Sequence, residues 1–233
     1  TRRGGLLDRY FYFAMAMIIT GVVVYGFSFT VNQNLIHPAI PRPGLLYFHA
    51  ALFSGWLVFF ILQSTLVRAG KVKWHRTIGW FGAGMGVLIP VVGAATAIVM
   101  GKFNAEQMHV AGAKWFVIVP LWDMAAFTPL FALAIYWRKK PELHRRLILM
   151  ATCTLTAAGF GRFPGWLLPQ QFFYVGVDVL ILLGVARDWW VNRSVGKVYL
   201  YALAVLAVGQ TIVTVTAFGQ LAYWKPIGEW LLR

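Results

Sequence analysis

Four of the five histidines lie at or near the ends of long apolar runs, where their side chains could bind a metal. In chain order they alternate between two sides of a predicted helical bundle: His49 and His109 fall on one side, His75 and His144 on the other. Two imidazoles at similar depth on neighbouring helices are what a b-type haem requires, one on each face of the iron. Pairing within each side predicts up to two haem b groups, with these four histidines as iron ligands.

The sequence around these histidines leaves an alternative open. Arg76 and Arg145 each follow a histidine directly and would lie near haem propionates. Histidine at a membrane interface with no metal is a second interpretation of the same positions. Gly79, Gly82, Gly84 and Gly86 could let a macrocycle approach their helix, but small residues also serve helix packing, and we favour packing.

Ionisable residues within apolar runs form a second candidate site. Asp123, Asp178 and Arg162 all fall in the same half of the predicted bundle as His49. Charged groups at this depth are costly, so they usually face a cavity or a partner. One interpretation is a structural pair between Arg162 and a carboxylate. The other is a polar pocket that binds a ligand or a proton.

The elements that must position these residues follow from the composition. Of 233 residues, 60% are hydrophobic and only 12% are charged, whereas soluble domains are about 25% charged. A hydrocarbon layer about 30 Å thick needs roughly 20 apolar residues per helix. The apolar runs recur at about that length, which predicts one all-α transmembrane domain over residues 1–233 with seven membrane helices.

The predicted spans are bounded by Pro, Gly or charged residues. The fifth is short and ends in a Gly- and Pro-containing segment, so it is expected to be broken or to stop below the surface. The seven spans are about 10–31, 45–67, 78–100, 115–137, 147–161, 171–190 and 198–224.

The basic residues predict the orientation of the bundle. Of the 21 Lys and Arg, 15 fall in the N-terminal tail and in the loops on that side, and 6 fall on the opposite side. Cytoplasmic loops carry this excess, so the N-terminus is predicted inside and the C-terminus outside. The net charge of +14 then reflects membrane insertion next to lipid, and no nucleic acid partner is expected.

Several short segments along the chain carry a resemblance to a known family. They are Phe48-His49-Ala50, His75 to Trp80, Pro141 to His144, Gly161-Arg162-Phe163, Asp178, and Arg187-Asp188-Trp189. With these, the chain resembles, over nearly its whole length, a family of uncharacterised seven-span proteins of the bacterial inner membrane. That resemblance implies a membrane fold and no specific activity. His49, His75, His144, Arg162 and Asp178 match the family pattern, whereas His109 and Asp123 do not.

A looser resemblance concerns residues 45–160. Four histidines and the segment His75-Arg76-Thr77-Ile78-Gly79 are similar to the diheme b-type cytochromes that ascorbate reduces. This resemblance implies haem b and transmembrane electron transfer.

These patterns predict an inner-membrane electron carrier with haem b, linked to a quinol or a soluble donor. A non-catalytic subunit of a membrane complex, or a protein that binds a lipid, quinone or pigment, is the first alternative. A proton-coupled carrier using Asp123 or Asp178 is the second. A homo-oligomer is compatible with each. No P-loop, dinucleotide-binding turn, nucleophile elbow or HExxH helix is present, which argues against the enzymes that use them.

Overall fold

The computed structural model describes residues 5–233, and for residues 6–8 it describes only the backbone. Arg2 and Arg3, which contribute to the predicted orientation, lie outside this range. The described chain is helical and connected by turns. Its α-helices are α1 Gly5–Ser28, α2 Gly44–Arg68, α3 Val72–Glu106, α4 Ala113–Phe116, α5 Ile118–Tyr136, α6 Pro141–Thr154, α7 Ala157–Phe160, α8 Phe173–Asn192, α9 Lys197–Phe218 and α10 Lys225–Leu231.

Five of these helical stretches are long and apolar enough to cross a membrane: Arg9–Ser28, Gly44–Arg68, Val72–Glu106, Ala113–Tyr136 and Lys197–Phe218. The prediction of an all-helical chain with long apolar helices is therefore confirmed. Several bounds differ from the predicted spans, and α3 extends beyond 78–100 at both ends. The first helix ends at Ser28 before a π-helical turn over Asn32–Ile36, and the last long helix ends at Phe218 before a 3₁₀ turn over Ala222–Trp224.

The predicted short fifth span is the pair α6 and α7, which is interrupted at Leu155 and Thr156. Pro141 begins α6 and Glu142 lies in its first turn, where a fixed φ and a negative charge both favour a helix N-terminus. The α6 helix packs against α1, α5, α8 and α9, and α7 packs against α1 and α8. We refer to α6 and α7 together as the central segment.

The central segment is buried although it is not strongly apolar. Every residue from Leu149 to Thr154 is at most 3% exposed. Thr152, Thr154 and Thr156 donate their hydroxyl protons to backbone carbonyls within the segment. A helix enclosed by other helices touches little lipid, so it can carry polar residues whose hydrogen bonds are satisfied internally.

The crossing of α1 and α7 depends on two glycines. A Cβ added at Gly26 would overlap the backbone carbonyl of Gly159. Tyr25 packs edge-to-face on Phe163 beside this crossing, with 5.0 Å between ring centroids. The absence of a side chain at Gly26 therefore sets the distance between α1 and the central segment.

Glycines of α3 serve mainly for packing. A Cβ at Gly82 would overlap the ring of Phe59 on α2, and a Cβ at Gly86 would overlap the ring of Phe131 on α5. Gly79 and Gly84 differ, because an added Cβ at either position meets no atom within 4 Å. The helix α3 thus joins α2 to α5 through Gly82 and Gly86, and it leaves space beside Gly79.

The C-terminal helix α10 covers one end of the bundle. Lys114 pairs with Glu229 at 2.6 Å, and the indole of Trp224 donates to the carbonyl of Lys114 at 3.0 Å. The hydrogen bond from Lys114 lowers the pKa of Glu229. These contacts hold α10 against α4 at the bundle surface.

Candidate functional site

The structure brings His75 and His144 together at one end of the bundle. Their ring centroids lie 6.3 Å apart with an interplanar angle of 71°. His75 is in the first turn of α3 and His144 is in the first turn of α6. We call this the His144 end and the opposite end the Arg162 end. Both rings are half-buried, so they are reachable from the His144 end.

Each imidazole is placed by a helix other than its own. Nδ1 of His144 lies 2.9 Å from the carbonyl oxygen of Ala134 on α5, which favours the tautomer that donates from Nδ1 and leaves Nε2 free. The ring of His75 faces the backbone of Gln63 on α2, and its buried Nδ1 makes no hydrogen bond within the described chain. An imidazole oriented by a carbonyl in this way is typical of a metal-binding histidine.

The two arginines predicted next to these histidines differ in their surroundings. Arg76 is exposed and lies close enough to His75 for an electrostatic interaction. Arg145 donates to both carboxylate oxygens of Glu142, at 2.6 and 2.7 Å, and lies over the ring of Tyr12. Arg145 therefore supports the first turn of α6, whereas Arg76 stands at the surface beside the histidine pair.

Beside the histidine pair lies a buried network of ion pairs. Asp188, whose side chain is fully buried, lies 2.7 Å from Arg146 and 2.9 Å from Arg187. The backbone N–H of Gly196 donates to the same carboxylate at 3.2 Å. Asp188 thereby joins α6, α8 and the turn before α9. In the sequence, Arg187 and Asp188 stand out only as part of a family resemblance, and nothing there indicates that Arg146 meets them.

The other predicted histidine pair is not brought together. His49 is half-buried on α2 and stacks on Phe53, with 4.0 Å between ring centroids. His109 lies in an exposed loop after α3 with a positive φ of 49°. Within residues 5–233 no contact between the two imidazoles is recorded. The arrangement offers one histidine pair, at the His144 end.

Arg162 is not paired with a carboxylate in the part of the chain that the structure describes. Its Nε donates to the hydroxyl of Thr30 at 3.1 Å, another guanidinium nitrogen donates to the carbonyl of Ala158, and the group lies over the ring of Phe27. Arg162 is near enough to His49 for an electrostatic interaction. Arg162 and His49 thus form one cluster, from which Asp123 and Asp178 are separate.

The two carboxylic acids have different partners. Asp123 is buried on α5 and accepts a hydrogen bond from the phenol of Tyr174 on α8, at 2.9 Å. Asp178 is half-buried one turn further along α8, and the buried amide of Gln210 on α9 lies beside it. The structure therefore uses these acids to connect α5, α8 and α9.

Replacing Tyr174 with phenylalanine is expected to destabilise the protein by about 1–3 kcal/mol, because the buried Asp123 carboxyl loses its recorded partner. The measurement is the free energy of unfolding in detergent. Tyr136→Phe is the matched control, since Tyr136 is 74% exposed, and it should shift stability by less than about 0.5 kcal/mol. Equal effects of the two exchanges would contradict this role for Tyr174.

These side chains provide too few ligands for a metal ion on its own. Among the side chains that the structure describes, residues 5 and 9–233, no group of three or more His, Cys, Asp or Glu could hold a metal ion. Structural metal sites usually take four protein ligands and catalytic zinc sites take three. A metal bound by the histidine pair would therefore need its remaining ligands from another molecule.

The fold and its sites together define a multi-pass, all-helical membrane protein with a histidine pair at one end. No family model, no curated protein and no solved structure matches the chain. The resemblances to uncharacterised inner-membrane proteins and to diheme b-type cytochromes therefore stay predictions.

Proposed function

We propose that the chain is a seven-span protein of the bacterial inner membrane that binds one b-type haem between His75 and His144 and carries electrons. The observation that carries the proposal is the distance of 6.3 Å between the two ring centroids. The rings come from different helices, 69 positions apart in sequence, and each is oriented by the backbone of a third helix.

The distance between the rings suits an iron held on both faces. A metal–imidazole bond is about 2 Å long, and the bonded nitrogen lies about 1 Å from the ring centre. Two axial imidazoles on one iron therefore place their ring centres about 6 Å apart. A porphyrin supplies the four equatorial nitrogens, so two protein ligands are sufficient where a bare ion would need more.

The neighbouring residues support a macrocycle at this position. Gly79 lies one turn beyond His75 on α3, and the space beside its Cα is open. Arg76 is exposed next to the pair, and a guanidinium there suits a propionate carboxylate. The Nδ1 contact from His144 to Ala134 raises the basicity of the ligating imidazole, as outer hydrogen bonds do in metal sites.

The proposed topology uses two further helices, the central segment and α8, as membrane spans. Each carries three charged residues, and those at the His144 end are paired with one another. The excess of Lys and Arg in the loops at this end supports a cytoplasmic location for it. The haem would then lie near the cytoplasmic surface and exchange single electrons with a quinol or a soluble donor.

The proposal predicts a b-type spectrum that depends on His144. Protein purified from haem-replete cells should show an α band of b type in a reduced-minus-oxidised spectrum, and His144→Ala should abolish it. His109→Ala is the matched control and should leave the band unchanged, because His109 lies in the exposed loop.

A native preparation with no α band would remove the haem proposal. A band that survives both His75→Ala and His144→Ala would remove the histidine pair as its ligands. Because His144→Ala also leaves the Ala134 carbonyl without its imidazole, retention of the folded monomer is checked by size-exclusion chromatography, and His144→Gln provides a second variant that can still donate to that carbonyl.

A further inference from the structure

Polar residues recur along one face of α2. His49, Trp56 and Gln63 are seven residues apart, and two turns of an α-helix return a side chain to nearly the same direction. The distance from His49 to Gln63 along the helix axis is about 21 Å, at about 1.5 Å per residue. The face therefore runs through most of the bundle.

This face of α2 points into the bundle. Trp56 is 4% exposed and Gln63 is 9% exposed. The indole of Trp56 packs edge-on against Phe127 and Phe131 of α5. These polar groups are therefore shielded from lipid and held between helices.

None of these buried polar atoms has a hydrogen-bond partner within the described chain. The atoms are Nδ1 of His49, Nε1 of Trp56 and both amide atoms of Gln63. Native proteins pair nearly all such groups with protein or ordered water. An unpaired buried group costs about 1–3 kcal/mol, so four such atoms along one helix face would be a large penalty unless another molecule pairs with them.

Water can form hydrogen bonds with all of these unpaired groups. The indole is only a donor, whereas imidazole and amide groups both donate and accept, and water serves both roles at every point. A quinone carries its two oxygens on a single ring, so it would leave most of these groups unpaired. We propose that this face of α2 lines a water-filled path that carries protons between the Arg162 end and the His144 end.

The two ends of the path have charged neighbours. His49 is close to Arg162 for electrostatic interaction, and His75 is close to both His144 and Arg76. At the His144 end the path reaches the half-buried histidine pair, and it depends on the α2 atoms and needs no haem.

Water access is tested with a thiol on the buried face of α2. Cys153 is fully buried and is the only cysteine, so a Cys153→Ala background lets one introduced thiol be followed. The Gln63→Cys variant should react with silver ion, which is about the size of water. Ala16→Cys is the matched control, since Ala16 is 0% exposed on α1, and it should not react.

Proton movement is tested in liposomes that contain a pH-sensitive dye. Under an imposed pH gradient and potassium diffusion potential, wild-type protein should acidify the lumen at least tenfold faster than protein-free liposomes. Gln63→Met keeps the volume but removes the polar atoms, and it should lower the rate at least tenfold. Gln210→Met makes the same exchange away from α2 and should leave the rate within twofold.

The proposal is overturned by wild-type flux equal to that of protein-free liposomes, by flux that Gln63→Met leaves unchanged, or by a Gln63→Cys thiol as unreactive as the control. A stabilised Gln63→Met protein with unchanged flux would identify Gln63 as a buried group that no water reaches. These readouts are independent of the haem spectrum, so either proposal can fail alone.

Discussion

Replacing Asp188 with alanine is expected to lower the free energy of unfolding by about 3–5 kcal/mol, the cost of leaving buried charges uncompensated. The carboxylate is fully buried between Arg146 and Arg187, whose side chains are 11% and 1% exposed. It also accepts the backbone N–H of Gly196. Loss of the carboxylate therefore removes contacts that connect α6, α8 and the turn before α9. Unfolding in detergent, followed by circular dichroism, measures the effect.

Glu142 provides the control for burial, because it is an exposed carboxylate near the same two arginines. Its side chain is 47% exposed and lies 3.2 Å from Arg146. Because exposed ion pairs contribute about 0–1 kcal/mol, Glu142→Gln should be mild and should depend on salt. Loss of stability equal to that of Asp188→Ala would show that burial is not the deciding factor.

Replacing Gly26 with alanine should destabilise the protein by about 1–3 kcal/mol, the usual cost of overpacking. The new methyl group would overlap the carbonyl of Gly159, and a backbone carbonyl cannot rotate away as a side chain can. The helices α1 and α7 must then separate. Thermal unfolding in detergent measures the loss.

Gly21 provides the matched control for Gly26. It lies on the same helix, and a Cβ there meets nothing within 4 Å. Gly21→Ala should be neutral or stabilising by up to about 1 kcal/mol, because alanine restricts the unfolded chain and favours helix. If both variants had the same stability, close approach at Gly26 would not be required.

Much of the fold could be predicted from apolar run length alone. The helix α2 runs from Gly44 to Arg68, where the sequence predicted a span over 45–67, because Pro43 and Arg68 bound an apolar run. The helix α3 runs six residues further at each end than predicted, since helical hydrogen bonding continues through polar residues once an apolar core has fixed the helix. The early end of α9 follows from a turn at Gly219 and Gln220.

The candidate site was only partly accessible from sequence. The sequence placed His75 and His144 on the same side, and the structure brings their rings together. It could not place Arg162 relative to Asp178, because which neighbour a helix face meets depends on helix rotation. Likewise, the contact between Arg146 and Asp188 depends on α6 lying beside α8. The buried polar atoms of α2 that lack hydrogen-bond partners can be recognised only once burial is known.

The enclosure of the central segment between α1, α5, α8 and α9 has a consequence for biogenesis. A segment that begins Pro-Glu-Leu-His-Arg-Arg and contains three threonines before Ala157 gains little free energy by partitioning into lipid alone. Its retention relies on α1 and α5, which are synthesised before it, and on α8 and α9, which follow. Assembly of this polytopic chain is therefore cooperative across the whole sequence, and a ribosome that stalled after Phe160 would leave its newest helix without the neighbours that hold it in place.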